Sequence, residues 1–166
     1  RDKYKSLFEN MINGFALHEV IVDDNNKPID YVFLEINNAF ETLTGLKRKA
    51  ILGKKVTEVI PGIKKDEFNW IGEYGKIALE GGMLKFDQYS APLKKHYSVT
   101  SFSPKKGTFA TIFEDITERK VAEKELEKHH EHLEELVEER TTNLKERTEN
   151  LNKSEKALRY LLEDVN

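Results

Sequence analysis

The chain contains no cysteine. That excludes disulfides, thiolate metal sites and thiol nucleophiles. It also has no run of eighteen apolar residues, so no segment reads as a transmembrane helix. No secretory signal is visible. Neither sign of charge dominates: the formal net charge of −3 argues against a strongly basic nucleic-acid-binding surface. Glycine and proline disappear partway along. All nine glycines lie at or before Gly107, and all four prolines at or before Pro104. Aromatics thin out as well, with only Tyr160 beyond residue 117. The chain begins with Arg1 rather than methionine and is expected to be a segment of a longer protein.

What is present falls into two unlike parts. Residues 1–117 carry 17 Lys+Arg against 16 Asp+Glu, and residues 118–166 carry 10 against 14. The first part can bury a core; the second cannot do so alone. Three segments follow from this: an amphipathic helix at 1–13, a globular domain at 14–117 and a long helix at 118–166.

Tyr4, Leu7, Phe8, Met11 and Ile12 recur at helical spacing over 2–12. FALHEVIV (15–22) and IDYVFLEI (29–36) read as strands around a DDNNKP turn. Asn37 or Asn38 can cap the next helix, which carries Phe40 and Leu43 inward and stops at Gly45. Short helical pieces follow at 47–52 and 55–63. A longer helix is expected over 66–80, weakened by Gly72 and Gly75 unless close packing needs them. Strands are expected at 84–90, 95–103 and 108–115. Five strands in one antiparallel sheet, with short helices on one face, is an α+β arrangement.

The last element reads as one helix, with Thr117 as N-cap and an Ile116–Val121 staple. Its 49 residues would run about 74 Å. A heptad seam places Leu126, Leu133, Arg140, Arg147, Ser154 and Leu161 at a, and His130, Val137, Leu144, Leu151, Leu158 and Val165 at d. A parallel homodimer is the simplest partner for such a stripe. Arg140 and Arg147 in the seam imply register specification or a weakened rod able to shift.

IVDDNNKPIDYVFLEINNAFETLTGLKRKAILGKKVTEVIPG (21–62) and KHYSVTSFSPKKGTFATIFEDITERK (95–120) resemble the two halves of a PAS sensor domain. LEELVEERTTNL (133–144) resembles the signalling helices that follow such domains in sensor histidine kinases and in diguanylate cyclases. The resemblance implies the PAS fold, with Asp115, Ile116 and Thr117 as the junction to the outgoing helix. It implies a cytoplasmic sensory and dimerisation module of a two-component kinase, without catalysis in this segment. A downstream kinase or other output domain, no nucleic acid and no membrane contact complete that expectation. A ligand-free dimerisation scaffold, or the sensor of a diguanylate cyclase, are the alternatives.

The resemblance also implies a cavity between sheet and helices. Phe15, Leu17, Phe33, Phe40, Trp70, Tyr74, Phe86, Tyr97 and Phe113 are the pocket candidates, against a reading in which they only fill a core. A small organic ligand is the expected occupant. Haem is disfavoured because helix 66–80 holds no histidine, and a cysteinyl flavin because there is no cysteine. His18 and His96 read as structural before they read as ligand contacts. His129, His130 and His132 lack metal-site and phosphoacceptor spacing, so no metal and no catalytic residue is assigned.

Overall fold

The computed structural model of the protein describes residues 2–163. The elements in order are α1 (Asp2–Glu9), β1 (Gly14–Val22), β2 (Pro28–Ile36), α2 (Asn38–Thr44), α3 (Arg48–Ile51), α4 (Val56–Val59), α5 (Trp70–Glu80), β3 (Met83–Ser90), β4 (Lys95–Phe102), β5 (Thr108–Asp115) and α6 (Thr117–Glu163). The strands form one antiparallel sheet in the order β2-β1-β5-β4-β3. The chain's first and last strands, β1 and β5, are thus neighbours, and β1 sits inside the sheet between β2 and β5.

Burial alternates along the strands with the two-residue period of a half-covered sheet. Ala16 and His18 of β1, Tyr97, Val99 and Ser101 of β4, and Phe109, Thr111 and Phe113 of β5 are buried. They meet Phe40, Ile51, Val56, Ile63 and the inward residues of α5. The edge of β2 does not stay open. Phe33 N–H donates to the Lys54 carbonyl, Gly53 N–H donates to the Phe33 carbonyl, and Val32 bridges Lys55.

Asn37, not Asn38, caps α2, and its side-chain oxygen accepts from Phe40 N–H. Gly45 ends the helix in the left-handed region (φ 78°), where a side chain would be strained. The helix expected from residue 66 begins at Trp70, because Asn69 caps it through Gly72 N–H. Asp66 is left in the preceding loop to accept from Trp70 Nε1–H at 2.7 Å.

The N-terminal helix is shorter than its periodicity suggests. It stops at Glu9, and Asn10 turns back onto the Ser6 carbonyl through both its backbone and side-chain nitrogens. Ile12 therefore lies outside it, 91% exposed, and Tyr4 and Leu7 are exposed too. A bidentate pair between Arg48 and Glu9, at 2.8 and 2.9 Å, ties α1 to α3.

Two compact units divide at Lys120 and Val121. In the second unit α6 continues to Glu163 with no buried residue. Leu126, Leu133, Val137, Leu144, Leu151, Leu158 and Leu161 are all exposed; Val165 lies outside the described residues. Four residues separate Leu126 from His130 and three separate His130 from Leu133, so the heptad letters must be exchanged. His130, Val137, Leu144, Leu151 and Leu158 are a positions; Leu126, Leu133, Arg140, Arg147, Ser154 and Leu161 are d positions. The stripe itself is unchanged.

Close packing explains one of the helix glycines. A Cβ at Gly75 would collide with the ring of Pro28 at the start of β2. Helix propensity alone predicts that Gly75→Ala stabilises by about 1 kcal/mol. We expect the opposite sign, a loss of about 1–3 kcal/mol from overpacking, read as a lower urea midpoint.

Candidate functional site

A cavity of about 80 Å³ lies between the sheet and the helices. Strands supply His18, Tyr31, Phe33, Ser90, Tyr97, Val99, Thr111 and Phe113. Phe40 and Thr44 of α2 and Trp70 and Tyr74 of α5 close the opposite side, and Leu46, Ile60, Ile63 and Leu93 from the connecting segments complete the wall. The volume is well under the 300–1,000 Å³ of sites for drug-sized ligands. A haem- or flavin-sized group does not fit it, and α5 holds no histidine to ligate one. Among the described residues no cluster of His, Asp and Glu is arranged to hold a metal ion.

Six of the nine aromatic and aliphatic candidates come together here: Phe33, Phe40, Trp70, Tyr74, Tyr97 and Phe113. Phe86 stands behind them on the same face, stacked on Phe68 at 4.9 Å. Phe15 and Leu17 do not reach the cavity. They alternate out of phase with Ala16 and His18 on β1, and Phe15 meets Phe8 of α1 edge-on at 5.1 Å. Hydrophobicity misassigned them because β1 is apolar on both faces, one covered by the core and the other approached by α1. The inward phase of β1 is Gly14, Ala16 and His18, small at its start. At Gly14 a Cβ would stand 2.5 Å from the Phe113 ring.

The residue that sequence reasoning placed as structural, His18, borders the cavity. It is 3% exposed, stacked on Phe109 at 4.5 Å, and flanked edge-on by Tyr31 and Phe33 at 4.9 Å. Its Nδ1 has no hydrogen-bond partner. Burial pushes its pKa down to about 3, with the Phe109 backbone working weakly the other way, so the ring is neutral. Burial likewise raises the Tyr31 and Tyr74 hydroxyls well above their ordinary range. The signal for His18 was its place in the alternation with Ala16; Tyr31 and Thr111 follow the same phase on their own strands.

One side of the cavity is wired to the start of α6. The carbonyl of Leu43, among the last of α2, accepts from Tyr97 O–H at 3.3 Å and from Lys95 Nζ at 2.8 Å. Lys95 also pairs with Asp115 at 2.9 Å. Asp115 accepts from the Thr117 N–H at 3.0 Å and from its hydroxyl at 2.5 Å. Asp115 is therefore the side chain that caps α6, and Thr117 is the first helical residue rather than the cap. His96 locks the turn in place: its N–H donates to Thr117 Oγ1, and its carbonyl accepts from Ile116 N–H, both at 2.9 Å. Burial favours a neutral Asp115, but the bonds from Thr117 and Lys95 outweigh it and hold the carboxyl below its ordinary range. Ile116 is buried, whereas Val121 is half-exposed.

Comparison with known proteins agrees with this architecture. Residues 2–77 match the family model described as PAS domain. A domain of a sensory box sensor histidine kinase/response regulator from Geobacter sulfurreducens superposes with a TM-score of 0.50 at 16% identity, covering 69% of this chain and 92% of its own. At that identity the likeness shows the fold. A domain of an HTR-like protein from Haloarcula marismortui (TM-score 0.45, 20% identity, 64% and 100% covered) is also similar. So is the PAS domain of Bordetella pertussis BvgS (0.39, 17%, 78% and 96%). No curated protein sequence matches the chain.

The neutral His18 sets a pH dependence. Its folded pKa is lowered, so the unfolded chain takes up the proton first as pH falls below about 6.5. Stability is then lost progressively from that point down toward pH 3. Between pH 6.5 and 5 the loss amounts to about 2 kcal/mol. His18→Phe should flatten the difference in unfolding free energy between pH 7 and pH 5.

Proposed function

We propose that the PAS domain this chain carries is the sensory part of a signal-transduction protein, a sensor histidine kinase, and that it transmits through α6. One observation carries the reading. The hydrogen bonds from Tyr97, which borders the cavity, converge with those of Lys95 on the Leu43 carbonyl, and Lys95 in turn holds the carboxylate that caps α6. A change in cavity occupancy that moves Tyr97 or the end of α2 disturbs Lys95, and Lys95 disturbs the cap. Such coupling requires that an occupant bind two arrangements of this network with different affinity.

The receiving element is a helix that cannot bury its own apolar stripe. A second copy, parallel and in register, covers the exposed leucines of α6. Two patterns of the form Arg-Thr-x-Asn-Leu, seven residues apart, interrupt that seam, Arg140-Thr141-Thr142-Asn143-Leu144 and Arg147-Thr148-Glu149-Asn150-Leu151. In each, the threonine hydroxyl is turned onto its own helix, donating to the Val137 or Leu144 carbonyl. Arginines facing their symmetry mates weaken the seam, which suits a rod that shifts between two packings. A diguanylate cyclase output would use the same parts. A ligand-free scaffold would not need the cavity.

The test begins with the protein as purified. Denaturation should release a small molecule visible by mass spectrometry, and its absence would favour the scaffold. Lys95→Met should raise amide hydrogen exchange severalfold across residues 118–121 while leaving the sheet protected. Unchanged exchange there would break the proposed route.

The seam yields a separate expectation. Arg140→Leu combined with Arg147→Leu should tighten self-association in sedimentation equilibrium and reduce the response of output to stimulus. Unaltered association would show that the arginines do not face one another.

A further inference from the structure

Resting on the sensor reading, the chemistry of the cavity wall narrows what the occupant can be. None of the bordering residues carries a formal charge. The wall offers hydroxyls from Tyr31, Tyr74, Ser90 and Thr111, the imidazole of His18, and aromatic and aliphatic carbon. His18 stays neutral, so it brings no cation. Three carboxylates lie just outside the wall, all engaged: Asp30 with Thr57, Asp66 with Trp70 and the Ala91 N–H, and Asp115 with Lys95 and Thr117. Lys95 is committed to Asp115 and the Leu43 carbonyl.

An anion entering this space would lose its hydration and gain no counter-charge from the wall, since the Lys95 ammonium is already paired with Asp115. A cation would lose its hydration with every carboxylate already taken. Burying either without a partner is strongly unfavourable. An uncharged polar molecule avoids both costs. It also finds an atom in need of a partner, the buried Nδ1 of His18, since leaving such an atom unmade costs about 1–3 kcal/mol.

We propose that the cavity selects a small uncharged molecule carrying an amide- or alcohol-type hydrogen-bonding group, which partners His18, and that it rejects carboxylates and cations. The limited volume sets the size class, and the aromatic wall favours a compact or planar shape.

Propionamide, propionate and propionamidinium test this directly, being alike in shape and different in charge. The full chain, labelled with nitrogen-15, is titrated with each at pH 7 and followed by NMR. Propionamide should shift the amide signals of Phe33, Thr111 and Tyr97 and the ring nitrogens of His18. It should bind at least tenfold more tightly than either charged probe. His18→Phe, chosen because its neighbours are already aromatic, should keep the folded spectrum and weaken propionamide about tenfold. Propionate or propionamidinium binding as tightly as the amide would overturn the inference, as would His18→Phe binding propionamide undiminished. Failure of all three probes to bind would overturn it too. The sensor reading is judged separately, by the exchange behaviour of Lys95→Met, so either can fail without the other.

Discussion

Asn37 is the residue on which the geometry of the sheet domain turns. It is wholly buried. Its side-chain oxygen accepts from Phe15 N–H at 2.9 Å and from Phe40 N–H at 3.0 Å. Its side-chain nitrogen donates to the Asn13 carbonyl at 3.0 Å. One amide thereby joins the start of β1, the end of β2 and the first turn of α2. The roles need a donor and an acceptor on one short side chain. Aspartate would set a negative oxygen against the Asn13 carbonyl, and serine could not reach both sides. Everything that α2 contributes, from Phe40 in the cavity wall to the Leu43 carbonyl at its end, is aimed by this residue.

The interior around it is aromatic but not closed. His18, Tyr31, Phe33, Tyr74 and Phe109 pack edge-on or stacked at 4.5–6.0 Å. Large rigid rings of this kind interlock without filling every gap, and the hydroxyl and imidazole groups they carry sit in a medium that strengthens each hydrogen bond and penalises each missing one. The unpartnered nitrogen of His18 and the small cavity beside it are two aspects of one packing arrangement.

The junction uses the physics of helix ends twice. The last carbonyls of α2 lack intrahelical partners and carry partial negative charge, which a lysine can satisfy. The first N–H groups of α6 are donors without intrahelical partners, which a carboxylate can cap. Lys95 and Asp115 are the complementary charges that meet those needs and also meet each other. The link between wall and outgoing helix thus consists of one ion pair and the two helix termini it serves.

Local patterning made much of this legible from residues alone. The element order, the antiparallel strands, the Gly45 stop and the polar rod were readable because each depends on neighbours within a few positions. Helix ends slipped where a side chain competed for backbone groups, at Asn10, Asn69 and Asp115. Strand order was beyond the sequence, as was the burial of His18 in place of Phe15 and Leu17. Those depend on which face of β1 met the core, and a strand apolar on both faces does not declare it. The convergence of Tyr97 and Lys95 on Leu43, more than fifty positions away, was decided only when the sheet brought β4 beside the end of α2. Sequence determined that this chain is an aromatic sheet domain followed by a charged helix. Tertiary structure alone decided which polar atoms face each other inside it, because long-range hydrogen bonds leave no periodic trace.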